Sequence, residues 1–376
     1  MRFCVIGPVY PYRGGIAHFT TMLARAMHER KHEVLVVSFK RQYPRWLYPG
    51  ETDKDPSQNP LKVRDAQYWL DSLNPLSWIS TFFRIRRNCP DVIVMQWWTP
   101  FWAPAWFVLG ALTRFLLRIP IVYYCHNVLP HETRRWDAWI AKATLSWASL
   151  FLVQSAQEKR QLQVLLPRAV MQVTPLPTFD MFCDLRISKE EARQRLELPD
   201  EALVLLFFGF VRPYKGLNYL IEALPLVLEK QDVHLLIAGE FWDGVQTYLD
   251  LIRSLNLRSH VTLVDRYVPN EEVGVYFTAA DLVVLPYVEA TQSGIVQMAL
   301  GFGVPVLTTT VGGLGEAVRD GITGLLVHPE DSQALALAIR RYFQEQLGPG
   351  MRANIQADSD RFAWAKIVSL MEQLDV

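Results

Sequence analysis

Four short stretches of the 376-residue chain set polar or flexible groups directly after apolar runs, where a strand would hand over to a helix. EATQSGIVQ, residues 289–297, follows DLVVLPYV and places Glu289 eight positions before Gln297. Ser293 between them has the side chain of a helix N-cap. A helix opening at Gly294 would offer the backbone N–H groups of Gly294, Ile295 and Val296 to a phosphate. Gln297 falls one turn after Ser293, on the same side, while Ile295, Met298, Ala299 and Phe302 form an apolar face. GFVRPYKG, residues 209–216, sets Arg212 and Lys215 three apart on a loop flanked by glycines. A planar guanidinium fork and a compact ammonium together suit a diphosphate. In RGGIAHF, Gly14 and Gly15 precede an apolar-periodic helix, and backbone without side chains lets amides approach an anion closely. The GxGxxG dinucleotide fingerprint is absent there. CHN, residues 125–127, ends the strand-like PIVYYC with His126, a hydrogen-bonding or acid–base candidate. His131 and Glu132, just beyond, are weaker candidates. Taken singly, each group also has a plainer reading: a flexible turn, solvated loop cations, a loop carboxylate, a surface amide.

The elements that must position these groups alternate in kind. RFCVIG (2–7), EVLVVSF (33–39), DVIVMQ (91–96), PIVYYC (120–125) and LFLVQS (150–155) are short apolar runs separated by helical periodicity. After a Pro-rich join, TPLPTFD (174–180), the pattern restarts with ALVLLFFGF (202–210), VHLLIAG (233–239), HVTLVD (260–265), DLVVLPY (281–287) and PVLTT (305–309). A last helix is expected over 360–374, after the second set of strands is complete. Strands without strict alternation, separated by helices, predict parallel sheets covered on both faces. The expected fold is α/β, two doubly wound Rossmann-like domains with ligands at the carboxyl ends of the strands. WWTPFWAPAWFVLGALT (97–113) is long, uncharged and aromatic, but Pro100 and Pro104 are expected to interrupt it. Its clean helical part is too short to cross a bilayer, so a buried or surface-lying helix is predicted.

Half the residues are hydrophobic and a fifth charged, which excludes a disordered chain. Cys4, Cys89, Cys125 and Cys183 lie far apart with no CxxC pair, which argues against a disulfide framework or zinc site and for a reducing cytoplasm. MRFCVIGP lacks the apolar core and cleavage site of a signal peptide. A net charge of zero hides a division. Residues 1–178 carry 22 Lys and Arg against 11 Asp and Glu, a net of +11, and the remainder is −11. Ten of the 12 tryptophans also fall in the first part. A basic, Trp-rich half and an acidic half predict two surfaces with different partners, the basic one resting on an anionic membrane face. The basic half carries no recognisable nucleic-acid module.

The Gly-Gly near the start, HN after a mid-domain strand, GFVRPYKG, Glu289 ahead of Gln297, and the run GVPVLTTTVGGLGEAVRDGITGLLVHPED together resemble glycosyltransferase family 4. The resemblance spans nearly the whole chain, strongest over 202–330 and loose over 40–90. It implies a retaining enzyme of the GT-B fold, two domains facing a central cleft. Residues 1–178 would bind acceptor, 179–357 the nucleotide sugar, and a helix in 358–376 would pack back on the first domain. By position, Arg212 and Lys215 match the pair that holds the donor diphosphate, and Glu289 the glutamate on hydroxyls of the transferred sugar. The amides of Gly294, Ile295 and Val296 match those on the phosphates, Gly14 and Gly15 the loop over the diphosphate, and His126 the histidine near the reacting bond. Gln297 stands where the family usually grips ribose with a second glutamate. The resemblance further implies metal-independent transfer without a cofactor, onto a glycan or lipid-linked acceptor. The setting it implies is the synthesis of cell-surface polysaccharide or glycolipid, in the cytoplasm or on the inner membrane face. A sugar-nucleotide epimerase or phosphorylase on the same scaffold, or a non-catalytic GT-B protein, remain the alternatives.

Overall fold

The computed structural model describes residues 1–48, 52–129, 136–183, 187–199 and 201–374. His131 and Glu132 lie outside them. Contacts divide the chain into two units: Met1–Pro56, Pro60–Pro175 and Ala363–Val376 form unit 1, and Ser57–Asn59 with Leu176–Phe362 form unit 2.

Unit 1 is built on β1 (Arg2–Ile6), β2 (Glu33–Arg41), β3 (Gln67–Asp71), β4 (Val92–Trp97), β5 (Ile121–Cys125), β6 (Leu150–Val153) and β7 (Met171–Val173). They form one parallel sheet in the order β3-β2-β1-β4-β5-β6-β7. Its central strands β4, β5 and β6 are buried along their whole length, as helices on both faces require. Unit 2 repeats the plan with β8 (Leu203–Phe208), β9 (Val233–Ala238), β10 (Val261–Val264), β11 (Leu282–Leu285), β12 (Val306–Thr309) and β13 (Gly324–Val327), in the order β10-β9-β8-β11-β12-β13. Strand order reverses between β1 and β4 in the first sheet and between β8 and β11 in the second. Ligands of doubly wound sheets bind in the crevice that such a reversal opens at the carboxyl ends. Three strands that the apolar pattern did not predict, β3, β7 and β13, all lie at sheet edges. Edge strands are short and only half covered, so they need no continuous apolar run.

In unit 1, α1 (Gly15–Glu29) follows β1, and α2 (Pro75–Arg87), α3 (Ala103–Leu112) and α4 (Asp137–Leu145) form a layer in which α3 packs against both neighbours. The aromatic run 97–113 is a 3-10 turn at Pro100–Trp102, then α3, then a π-helical turn at Thr113–Leu117. Pro100 and Pro104 occupy first turns, so they open helical segments where interruption was expected. One side of the run fills the core: Trp97, Trp102 and Trp106 are buried, with the last two stacked at 5.3 Å. The other side leaves Phe107, Phe115 and Leu116 in solvent.

The chain returns to unit 1 in the helix Trp364–Glu372, shorter than expected because Ser359–Phe362 is a 3-10 turn. Trp364 packs on Phe19 of α1 with ring centroids 5.1 Å apart. At the far end, the Glu372 carboxylate accepts hydrogen bonds from Arg30 at 2.9 and 2.6 Å and lies 2.6 Å from His32 Nε2. The Arg30 hydrogen bond, the largest influence, and the contact with His32 hold the Glu372 carboxyl at about 2, against the opposing effect of burial. A depressed carboxyl stabilises the fold above its unfolded value, and that stabilisation is lost as pH falls through the folded value. Glu372→Gln is therefore expected to lower the thermal midpoint at neutral pH, only slightly because the pair is largely solvated. The difference from wild type should shrink as thermal scans move below the ordinary carboxyl value of 4.5 toward 2.

Candidate functional site

In unit 2 the loops after β8 and β11 are joined by backbone. The Tyr214 carbonyl accepts the N–H of Val288 at 2.8 Å and that of Glu289 at 3.5 Å. Gly216, which caps the following helix Leu217–Leu228, has φ 65°, and a Cβ there would stand 2.1 Å from the Pro286 carbonyl oxygen. Only glycine lets the two loops approach so closely. Gly312, at φ 55°, closes the other side of the Glu289 loop: its Cβ would meet the Ala290 oxygen at 1.7 Å. These contacts bring Arg212, Lys215, Glu289 and the start of the helix Gly294–Gly301 to one end of the sheet.

Lys215 Nζ donates to Tyr287 Oη at 2.6 Å and stands 3.9 Å from that ring's centroid. Ser293 Oγ also donates to Tyr287 Oη, at 3.4 Å, and accepts the N–H of Val296 at 3.4 Å. A relay thus runs from the lysine to the helix N-terminus. Burial, with the nearby Arg212 adding a smaller push, lowers the Lys215 pKa to about 8 despite the opposing influence of Tyr214. The Arg212 guanidinium lies 5.5 Å from the ring centroids of both Tyr214 and Trp242, and its Nε is buried without a hydrogen-bond partner. Phe210 packs on Trp242 at 4.7 Å and on Tyr267 at 5.9 Å, an aromatic shelf beside the arginine. Two cations held close enough for Arg212 to depress the Lys215 pKa favour an anionic ligand.

One expectation and one plainer reading need correction. Val296 does not present a spare N–H, because Ser293 takes it as the cap; Gly294 and Ile295 are the remaining first-turn amides. Gln297 is not a surface amide. It is fully buried, and neither Oε1 nor Nε2 has a partner. A buried unpaired amide costs about 1–3 kcal/mol. Glu289 is exposed on its loop. Sequence reasoning passed over Tyr214, Tyr287 and Trp242. Tyr287 closes the apolar run DLVVLPY that leads to Glu289, but nothing in its spacing shows that its hydroxyl faces Lys215.

In unit 1, Gly14 (φ 102°) precedes α1 without a side-chain cap, and no atom lies within 4 Å of where a Cβ would stand at Gly14 or Gly15. His126 follows β5. Its Nε2 lies 2.7 Å from Gln96 Oε1 and its Nδ1 3.1 Å from Gln154 Nε2. Amides so oriented select the tautomer with the proton on Nε2 and leave Nδ1 as acceptor. The ring meets Phe19 of α1 edge-on at 4.9 Å, and burial pushes its pKa down to about 3. His126 is thus a neutral hydrogen-bonding group at physiological pH, and of its two expected roles the acid–base one loses support.

Residues 14–177 match the family described as Glycosyl transferase 4-like domain, and residues 202–345 that described as Glycosyl transferases group 1. A D-inositol 3-phosphate glycosyltransferase of Catenulispora acidiphila is 31% identical over 281 residues, 69% of this chain and 67% of the relative. An uncharacterized glycosyltransferase of Methanocaldococcus jannaschii is 30% identical over 166 residues, 43% of this chain and 42% of its own. The match therefore spans under half of the Methanocaldococcus jannaschii relative and about two thirds of the Catenulispora acidiphila one. Among solved structures, Anabaena HepE in complex with UDP superposes with a TM-score of 0.74 at 22% identity, covering all of both chains. Sucrose-phosphate synthase from Thermosynechococcus elongatus gives 0.71 at 21% identity, over 99% of this chain and 97% of its own. With two Rossmann-like sheets and both family matches in chain order, the protein belongs to the group 1 glycosyltransferases of the GT-B fold.

Proposed function

We propose that the protein moves a sugar from a nucleoside diphosphate sugar to an acceptor hydroxyl with retention of anomeric configuration, and that unit 2 holds the donor. The observation that carries this reading is the pairing of Arg212 and Lys215 at the strand-order reversal, tied through Tyr287 and Ser293 to a helix N-terminus. In the reaction the bond between the anomeric carbon and the diphosphate oxygen breaks, and negative charge grows on the leaving phosphate. Arg212, Lys215 and the amides of Gly294 and Ile295 stabilise that charge where it develops. The acceptor oxygen bonds to the same face of the sugar, and its proton passes to the departing phosphate. Side chains and helix amides supply the positive charge this step needs, so we read it as metal-independent. Glu289 takes hydroxyls of the sugar, Gln297 the ribose end, Gly14 and Gly15 the diphosphate, and neutral His126 a hydrogen bond near the reacting centre. Anabaena HepE was also solved with UDP-glucose, which makes UDP sugars the first donors to try. The acceptor is read as a glycan or a lipid-linked sugar in cell-surface polysaccharide or glycolipid synthesis. The protein would work in the cytoplasm, peripherally on the inner membrane face.

Lys215→Ala is expected to lower kcat by about 10²–10³-fold while circular dichroism stays that of the wild type. Unchanged turnover in a screen of nucleotide sugars would remove Lys215 from this role, and consumption of donor without any acceptor would point to an epimerase or phosphorylase. The ammonium carries its charge below about 8 and loses it above. Nucleotide affinity should therefore hold from about pH 7 to 8 and then fall by up to about tenfold per pH unit. Calorimetry with UDP across that range, repeated on Lys215→Ala, would show the slope disappear in the variant. Gln297→Met should stabilise the ligand-free protein by about 1–2 kcal/mol and weaken UDP binding about tenfold, because an apolar isostere ends the burial cost and the ribose contact together. A gain in stability with unchanged affinity would take Gln297 out of the site.

A further inference from the structure

Among the described residues, 17 large hydrophobic side chains are exposed, and 14 of them belong to unit 1. On α2, Leu76, Ile79 and Phe83 are exposed at helical spacing, opposite a buried face made by Phe82 and Ile85. On the neighbouring helices Phe107, Phe115, Leu116 and Trp139 stand out, with Leu76 74%, Phe115 68% and Trp139 73% exposed. Between α2, α3 and α4 lies a trough of about 470 Å³ with Trp78, Phe101, Pro104, Phe107 and Trp139 on its walls. Thr144, also on its wall, already donates its hydroxyl to the Ala103 carbonyl. Unlike a core, this apolar surface is open. Against the expectation that its helical part is too short, the apolar stretch Pro100–Leu117 is long and apolar enough to cross a membrane by length and composition, with 39% of it buried.

Charge singles out the partner. Between residues 72 and 129 the chain has five arginines and one acid, Asp91, which pairs with Arg2. Arg84, Arg86 and Arg87 close α2, at the end of the apolar stripe, and Arg114 lies on the π-helical turn beside Phe115. All four are exposed. A second copy of this face would set one net-positive patch against another, an unfavourable pairing at a two-fold interface. Apolar and aromatic side chains rimmed by arginines match the boundary between hydrocarbon and anionic headgroups.

We infer that the outer face of the α2–α3–α4 layer is the surface by which unit 1 lies on an anionic phospholipid bilayer, with hydrocarbon chains in the trough and headgroup phosphates on the arginines of α2 and the π-helical turn. This assigns a surface to the peripheral location proposed above and rests on that reading, while being independent of the donor site in unit 2. The surface holds the enzyme where a lipid-linked acceptor is concentrated.

The test is flotation of the full chain with phosphatidylcholine vesicles, with and without about 30% phosphatidylglycerol. Binding is expected only with the anionic lipid, and about 0.5 M salt should abolish most of it. Trp139→Glu and Phe107→Glu should each weaken binding about tenfold or more, and Arg86→Gln with Arg87→Gln should weaken it similarly. The thermal shift on adding UDP should stay at the wild-type value in all of them, which separates loss of the surface from failure of the donor reading. Absence of vesicle binding, binding indifferent to anionic lipid, or Trp139→Glu and Phe107→Glu variants that float like the wild type would overturn the inference. So would a dimer that these substitutions dissociate in the absence of lipid.

Discussion

The Tyr214 carbonyl, by accepting the N–H groups of Val288 and Glu289, ties the loop after β8 to the loop after β11 across the reversal of strand order in unit 2. Parallel strands end with all their carboxyl termini at one edge, and helices leave that edge in opposite directions on either side of the reversal. The gap so formed is floored by backbone and open above. Without the Tyr214 bonds and the close pass of Gly216 under Pro286, Arg212 and Lys215 would sit on a loop free to swing away from Glu289 and Ser293. Positioning, more than any single charge, is what this constraint supplies.

Lys215 shows what such positioning costs and yields. An ammonium packed against Tyr287 and near Arg212 loses hydration, and its proton is held less tightly than in water. The same circumstances suit it to the proposed diphosphate, whose charge would offset both effects. Arg212 Nε and the Gln297 amide, buried without hydrogen-bond partners, are likewise left for a ligand to satisfy. His126 is the reverse case. Two glutamines satisfy both ring nitrogens, so the ring is fixed in orientation and kept neutral.

Unit 1 sorts its aromatic residues by depth. Trp97, Trp102 and Trp106 fill the space between sheet and α3, while Trp139, Phe107 and Phe115 stand outside. The composition that set this half apart, basic and Trp-rich, thus answers to two different causes, a large core and an open apolar face.

Much was legible in the sequence. Among the described residues, ten of the 13 strands were readable as apolar runs, nine of them inner strands that must be continuously apolar and the tenth the edge strand β10. The Gly-Gly, HN, GFVRPYKG and EATQSGIVQ stretches were legible because glycine, cap and charge chemistry act locally, within a turn of the chain. Edge strands β3, β7 and β13 escaped because their burial comes from one side only. Tertiary structure alone decided the rest. Tyr287 became the partner of Lys215, Gln297 went inside, and Gln96 and Gln154 closed on His126. Each of these joins residues from different loops or strands, and a hydrogen bond or a burial between distant segments depends on how sheets and loops pack, which no local pattern encodes.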